Sequence, residues 1–284
     1  MSSSMTMTRP SHLVNRRTAL RSVAAAALCA TPLAQSQSSA DGWRLLINEA
    51  FTADLSISML AQRYKNWADY MAAAVRNKQV VIDPVISVRR FLEQARGDQK
   101  PLFVFGKSVN QLAKLVRDQG YQPVARRADP YKAAFITGAN STITSMGALA
   151  GRKILMPDEY AATTAVAKAE LRSMNIGSFV SHTRFQESVA QQVAAGVAEA
   201  GVVNPTIARK WKEEGGRILG ETQPVVNWSV LASPKAPPEM VARMTEALLA
   251  MNTQAAPILG EIGVKQWAKP DKAEYVALLE YTNE

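Results

Sequence analysis

The segment ILMPDEYAATTAVAKAEL, residues 154–171, contains the clearest change of pattern in the chain. Ile154 to Met156 form a short apolar run that predicts a buried strand, and the Ala, Val and Leu residues that follow repeat at the spacing of a helix. A helix that starts directly after a strand leaves unpaired backbone N–H groups and the positive end of its dipole at the sheet edge. The segment therefore predicts a βα unit whose helix start suits an anion, although an ordinary βα unit has the same groups.

Side chains at this helix start are the first candidates for ligand contacts. Thr163 and Thr164 carry hydroxyls in the predicted first turn, and Asp158 and Tyr160 lie in the turn just before it. Asp158 also suits a purely structural interpretation, since acids near helix N-termini often stabilise them.

Strands and helices alternate over the rest of the chain. Short apolar or β-branched runs predict strands, and segments with apolar residues at helical spacing follow them. Residues 179–184 fall in a predicted loop. The alternation predicts a doubly wound α/β architecture. Its strands are predicted at residues 43–48, 79–84, 102–105, 131–137 and 224–232.

The order of these elements predicts two lobes. Residues 42–136 and 137–224 form two similar α/β runs, and residues 225–284 contain too few elements for a third domain. The tail is therefore expected to return, so that lobe I comprises 42–136 plus 225–284 and lobe II comprises 137–224. Two chain crossings would then form a two-strand hinge beside a cleft, and clefts at the carboxyl ends of parallel strands are where such folds bind ligands.

Other strand-to-helix junctions would face the same cleft. Glu187 and Ser188 begin a predicted helix, so capping explains them as well as ligand contact does. The candidate ligand-binding residues at these junctions are Phe51, Thr52, Phe105, Gly106, Lys107, Ser108, Gln186, Glu187, Ser188 and Asn204.

The first forty residues have the three-part composition of an export signal. Residues 1–21 contain four arginines and no acid, residues 22–34 are small and apolar, and residues 35–40 are small and polar. Arg16 and Arg17 predict a cleaved signal of the twin-arginine type. The apolar part is shorter than the roughly 20 residues of a membrane span, so we expect a periplasmic protein that does not span the membrane.

Charge and residue types disfavour several classes of function. Removing the four arginines of residues 1–40 leaves 29 basic and 24 acidic residues, so the net charge falls from +9 to +5 and a nucleic-acid partner is not expected. Cys29 also lies in the leader, and His182 is the single histidine after it, which leaves neither a thiol nucleophile nor the usual ligands of a transition metal. No nucleophile–base motif is present, so we expect no enzyme, no metal and no cofactor.

Four segments together resemble a known family. They are FGKS at 105–108, LAGRKILMPDEYAATTAVAKAEL at 149–171, QQVAAGVAEAGVV at 191–203 and PVVNWSVLAS at 224–233. They are similar to the periplasmic solute-binding proteins of phosphate/phosphite/phosphonate-type ABC importers. The resemblance implies a two-lobed type II periplasmic-binding-protein fold, with a mixed sheet flanked by helices in each lobe. Such a protein closes as a monomer on a small oxyanion and passes it to an inner-membrane ABC permease.

The matching positions depart from the site that the family usually has. A Ser-Thr-Ser type run is typical at the helix start, where this chain has Ala161, Ala162 and Thr163, and Phe105 stands where an aromatic residue with a hydroxyl is common. Each missing charge-assisted hydrogen bond is worth about 1.5–3 kcal/mol, whereas Lys107 adds a positive charge. We therefore expect a related anionic solute: phosphonate-like, sulfonate or carboxylate. The alternative is a periplasmic ligand-sensing protein that partners a membrane sensor, because a fold does not fix a function.

Overall fold

The computed structural model describes residues 43–49, 55–76 and 80–284. The predictions for residues 1–40, Phe51 and Thr52 lie outside these ranges. The described strands are β1 (Trp43–Asn48), β2 (Val80–Pro84), β3 (Phe103–Gly106), β4 (Gln122–Arg127), β5 (Ala134–Thr137), β6 (Lys153–Met156), β7 (Phe179–His182), β8 (Ala200–Val203), β9 (Arg217–Glu221), β10 (Ser229–Ala232) and β11 (Trp267–Ala268). The described helices are α1 (Ile57–Ala74), α2 (Val88–Arg96), α3 (Val109–Gln119), α4 (Ala162–Ser173), α5 (Gln186–Ala194), α6 (Pro205–Glu213), α7 (Pro238–Gln254), α8 (Ala256–Glu261) and α9 (Lys272–Thr282).

The first sheet is mixed and has the strand order β11-β4-β10-β3-β1-β2. Its strand β1 pairs in parallel with β2 and β3, and β10 pairs antiparallel with β3 and β4. Because β1, β2 and β3 run in the same direction, their carboxyl ends meet at one edge of the sheet. The turns into α2 and α3 start from that edge.

The second sheet is also mixed and has the strand order β7-β6-β8-β5-β9. Here β6 pairs in parallel with β7 and β8, and β5 pairs antiparallel with β8 and β9. The carboxyl ends of β6, β7 and β8 lead into α4, α5 and α6. The two mixed sheets with flanking helices confirm the predicted α/β class.

The chain changes sheet twice. The segment between β4 and β5 carries it to the second sheet, and the segment between β9 and β10 brings it back. Tyr131 and Val225 on these segments form an antiparallel bridge with N···O distances of 2.9 and 3.0 Å. The predicted lobe boundary after residue 136 needs correction at this point, because β5 is paired within the second sheet and the change of sheet precedes residue 134.

Aromatic side chains form much of the core beside the first sheet. Helix α1 begins after Ser56, whose hydroxyl accepts from a backbone N–H of the first turn, and it buries Tyr64 and Trp67 at helical spacing. The centroid of the Trp67 ring lies 5.2 Å from that of Phe105 and 6.1 Å from that of Trp267. Such contacts fix the helix against β3 and β11.

The two sheets also share buried surface. One core cluster includes both Leu46 of the first sheet and Ile154 of the second. Helix α9 packs against α3 on one side and α4 on the other. The Tyr281 hydroxyl donates to Glu170 Oε2 on α4 at 2.6 Å, and Lys114 Nζ on α3 lies 3.3 Å from a carboxylate oxygen of Glu284. The last helix therefore connects both parts of the chain in this conformation.

Strands β7 and β10 are among those that differ from the sequence prediction. Strand β7 occupies part of the segment predicted as a loop. The sequence does not indicate it, because an edge strand with exposed ends lacks the apolar run of a buried strand. Strand β10 covers only residues 229–232 of the predicted 224–232, since the residues before it cross between the sheets.

Among the described helices, none combines the length and apolar composition needed to cross a membrane.

Candidate functional site

A cavity of about 630 Å³ lies where the carboxyl ends of strands from both sheets approach each other. The turn from β2 into α2 forms one side, and the turns from β6 into α4 and from β7 into α5 form the other. Two of the predicted site residues, Asp158 and Tyr160, line it. The other lining residues are Ile57, Asp83, Pro84, Val85, Ile86, Ser87, Val88, Arg89, Arg90, Gln94, Arg184 and Phe185.

Three arginines give this cavity its positive charge. Arg89 and Arg90 lie in the first turn of α2, and Arg184 lies in the turn that precedes α5. None of the three makes an ion pair within the part of the chain that the structure describes. The Arg184 guanidinium lies 4.9 Å from the centroid of the Phe185 ring. Their donor groups are therefore available to an acceptor in the cavity.

The acids that line the cavity are already engaged. Asp83 Oδ2 lies 2.6 Å from Arg44 Nε. Asp158 Oδ1 accepts from the backbone N–H of Tyr160 at 2.9 Å, which fixes the turn before α4. Both lining acids are bonded to other groups, so they do not neutralise the lining arginines. The cavity therefore favours a negatively charged guest.

A buried charged cluster lies next to the end of β1 and β3. It consists of Glu49, Arg63, Tyr64 and Lys107, and we call it the Lys107 cluster. Lys107 Nζ lies 2.5 Å from Glu49 Oε2, and both side chains are only 8% exposed. Tyr64 donates its hydroxyl to Glu49, and Arg63 Nη1 lies 3.5 Å from the same carboxylate.

The charge of Lys107 is compensated inside this cluster. Burial lowers the pKa of Lys107, and the neighbouring Glu49 carboxylate acts in the opposite direction. The Lys107 ammonium also lies 4.0 Å from the centroid of the Trp228 ring. Lys107 was predicted to offer its charge to a ligand, but in this conformation that charge is paired with Glu49 and does not line the cavity.

The hydroxyls at the start of α4 are buried as well. Thr163 Oγ1 lies 2.5 Å from the Tyr131 hydroxyl and donates to Gln186 Oε1 at 3.2 Å. Thr164 donates to the carbonyl oxygen of Pro157 at 3.0 Å. Burial raises the pKa of Tyr131 to about 12, so this hydroxyl keeps its proton at neutral pH. Thr163 and Gln186 thus tie α4, α5 and the crossing segment together, and Thr164 fixes the turn before α4.

Three helices that start near this region lack a side-chain cap. Ser108, Ala161 and Phe185 occupy the positions before α3, α4 and α5, and none of them caps its helix with a side-chain hydrogen bond. By contrast, side chains cap α1, α2, α6 and α9. Uncapped helix starts keep backbone donors and partial positive charge for another acceptor.

Glu187 combines a buried carboxylate oxygen with a charged neighbour. Its Oε2 atom has no hydrogen-bond partner among the described residues. Burial raises the pKa of this carboxyl, while its own backbone N–H and the charge of Lys107 act in the opposite direction. Glu187 lies on α5 beside the second sheet, and Lys107 follows β3 of the first sheet. The two charges therefore interact across the two sheets.

Replacing Glu187 by glutamine is expected to stabilise the protein at pH 7. A raised folded pKa means that the folded state binds the proton more tightly than the unfolded state, so stability falls as pH rises from about 4.3 through the folded pKa. The stabilisation by Glu187→Gln should therefore vanish below about pH 4. Urea unfolding at both pH values checks this, with Glu213→Gln at an exposed position of α6 as the control. An equal effect of Glu187→Gln at both pH values would contradict it.

The remaining predicted residues occupy structural positions. Phe105 requires a correction: its ring is fully buried against Tyr64 and Trp67 and packs in the core instead of lining the cavity. A Cβ on Gly106 would come within 3.1 Å of Leu112, so this glycine allows α3 to pack closely. Asn204 caps α6 by accepting from the backbone of the first turn at 2.9 and 3.0 Å. Ser188 is half-buried on α5.

Sequence reasoning missed the arginines of the cavity. Arg89 and Arg90 have the pattern of an ordinary solvated helix face, and Arg184 lay in a predicted loop. Their one sequence signal is that each follows an apolar or β-branched run closely, as residues at carboxyl strand ends do.

In the described ranges no group of three His, Cys, Asp or Glu side chains is arranged to hold a metal ion.

Comparison with known families identifies the chain. The family described as ABC transporter, phosphonate, periplasmic substrate-binding protein matches residues 50–275. The chain belongs to this family. Its members are periplasmic proteins that bind small ligands and work with an ABC permease. This confirms the predicted family. No curated protein sequence matches the chain.

Solved structures show the same fold at low sequence identity. XAC2383 from Xanthomonas citri bound to chloride ion has a TM-score of 0.71 and 15% identity, covering 84% of this chain and 95% of that one. PhnD1 from Prochlorococcus marinus in complex with methylphosphonate has a TM-score of 0.69 and 13% identity, covering 85% and 97%. MatC from Rhodopseudomonas palustris with bound malate has a TM-score of 0.59 and 10% identity, covering 84% and 97%. These similarities confirm the type II periplasmic-binding-protein fold of this binding protein.

Proposed function

We propose that this binding protein captures a small anionic or oxyanion-bearing solute in the cavity between its two sheets. The observation that carries the proposal is the set of three arginines without ion pairs, contributed to one cavity by turns from both sheets. Guanidinium groups match the geometry of phosphonate, sulfonate and carboxylate oxygens and bind them through paired hydrogen bonds. Relatives of similar fold carry methylphosphonate or malate, which are anions of this kind.

The two crossing segments give this proposal a mechanism. The lobes proposed from the sequence, with the boundary moved ahead of β5, are joined by the segments that carry Tyr131 and Val225. An anion that contacts Arg89 or Arg90 on one side and Arg184 on the other stabilises the conformation in which both sides are close. Ligand binding would then shift the population toward the closed form, and the closed form would be presented to the permease.

Calorimetric titration of the mature protein with methylphosphonate, methanesulfonate, acetate and malate tests the capture of an anion. We expect at least one of these anions to bind, and Arg184→Gln to weaken that binding about 10- to 100-fold through the loss of charge-assisted hydrogen bonds. Arg209→Gln, at an exposed position of α6 outside the cavity, is the matched control. Binding of no anion by the wild-type protein, or equal weakening by both variants, would reject the proposal.

Delivery of the solute needs a separate experiment, because capture alone does not distinguish transport from sensing. We propose an inner-membrane ABC permease as the partner, in line with the family to which the chain belongs. The ATPase activity of the reconstituted permease should rise when the loaded binding protein is added. If loaded protein leaves that activity unchanged, the transport part of the proposal fails.

A further inference from the structure

The size of the cavity points to more than a single oxyanion. At about 630 Å³ it falls within the range of about 300–1,000 Å³ that encloses drug-sized ligands. A bare anion of a few atoms would contact one wall and leave most of the lining in water. The volume therefore favours a ligand with a body that spans the space.

The cationic groups come from two different sides of this space, one belonging to each sheet. Arg89 and Arg90 belong to α2, which follows the first sheet's strand β2, whereas Arg184 belongs to the turn after the second sheet's strand β7. Each side can hold one anionic group by paired hydrogen bonds. A ligand with a single anionic group would leave one of the two sides without an acceptor.

Both sides of the cavity also contribute apolar side chains. Tyr160 and Phe185 contribute aromatic rings from the second sheet's turns, and Val85 and Ile86 contribute aliphatic surface from the turn after β2. Apolar walls with a few polar groups at defined places are the usual composition of sites that bind an organic body. Flat or aliphatic groups of a ligand would pack here.

We propose that the solute is an elongated two-ended anion, with an acidic group at each end of an apolar or aromatic body. One acidic group contacts Arg89 and Arg90, and the other contacts Arg184. This inference rests on the proposed function, since it specifies the chemical class of the anion that the same cavity takes. The two-ended anion bridges the two sides, so it favours closure more strongly than a one-ended anion does.

Two matched pairs of probes test the second acidic group. Phenylphosphonate is compared with 4-carboxyphenylphosphonate, and butylphosphonate with 4-phosphonobutyrate, by calorimetric titration of the full mature protein. We expect the two-ended member of at least one pair to bind 10-fold tighter or more than its one-ended partner. Methylphosphonate is included as the smallest probe.

Two variants assign the ends. In one of the variants, Arg184→Gln or the double variant Arg89→Gln with Arg90→Gln, the gain from the added carboxylate should disappear. The other variant should weaken both members of the pair. Thermal unfolding shows whether each variant is folded, and Arg209→Gln serves as the control for removing a surface arginine.

The outcomes separate this inference from the proposed function. If one-ended probes bind and the two-ended probes bind no tighter, the two-ended anion is wrong and the capture of an anion stands. If the gain survives in both variants, the second acidic group does not contact these arginines and the inference is also wrong. If no phosphonate probe binds but methanesulfonate, acetate or malate does, the two-ended anion is wrong and the capture of an anion stands; if none of these anions binds either, both proposals are rejected.

Discussion

Replacing Lys107 by methionine is expected to destabilise the protein by about 3–5 kcal/mol, because it removes a buried ammonium that balances the charge of the buried Glu49 carboxylate. The ion pair has an N···O distance of 2.5 Å and both side chains are 8% exposed, so water cannot replace the lost ammonium. Arg63, at 3.5 Å, compensates the carboxylate only in part. Urea unfolding of the wild type and of Lys107→Met gives the difference in free energy.

The chain offers a matched control for this prediction. Lys65 and Asp69 on α1 form an ion pair of the same length, 2.5 Å, but their side chains are 69% and 63% exposed. Lys65→Met should therefore change the stability by at most about 0.5 kcal/mol. Adding Glu49→Gln to Lys107→Met should recover part of the loss, since the buried carboxylate charge that Lys107 balanced is then removed as well. Equal effects of Lys107→Met and Lys65→Met would show that Lys107 and Glu49 are solvated in the protein.

The same ion pair explains why Lys107 does not supply the positive charge that faces the cavity. Lys107 follows an apolar strand and precedes a helix, and the sequence pattern at such a junction predicts a ligand-facing cation. The pattern cannot show that Glu49, at the end of a neighbouring strand, neutralises it. Contacts between residues on neighbouring strands are a tertiary property that a local sequence pattern does not contain. The positive charge that faces the cavity comes from Arg89, Arg90 and Arg184 instead.

The order of strands and helices followed from the sequence because the buried strands are apolar runs. LLI in β1, FVF in β3 and KILM in β6 have their predicted positions within one or two residues. Strand β7 could not be found in this way, since Phe179 and His182 are exposed at its ends. The family resemblance of residues 149–171 added the two-lobed fold, which periodicity alone does not distinguish from other α/β folds.

The candidate site was less accessible to sequence reasoning than the fold. Asp158 and Tyr160, which follow β6, line the cavity, whereas Thr163 at the same junction bonds to Gln186 at the start of α5. The difference depends on which way each side chain points in the first helical turn. Neighbours in sequence thus separate into cavity-lining residues and residues that join the helices.

Replacing Phe105 by alanine tests the largest correction, the assignment of this ring to the core. The ring is fully buried and makes edge contacts with Tyr64, Trp67 and Trp267 at centroid distances of 6.0, 5.2 and 6.1 Å. Its removal leaves a cavity and should cost about 3–5 kcal/mol of unfolding free energy. Phe179→Ala, at a position that is 71% exposed, should change the stability by at most about 0.5 kcal/mol.

Ligand affinity distinguishes a core role for Phe105 from a contact role. If the ring only supports β3 and α1, the folded fraction of Phe105→Ala should bind the anion selected by titration within about threefold of the wild type, since 1.4 kcal/mol is needed for a tenfold change. If the ring contacted the ligand, the affinity of the folded protein would fall by more than this threefold limit. A loss of binding above tenfold in protein that unfolds like the wild type would therefore return Phe105 to the ligand-binding residues. The buried ring and its three aromatic neighbours lead us to expect the opposite pair of results, a large loss of stability with nearly unchanged affinity.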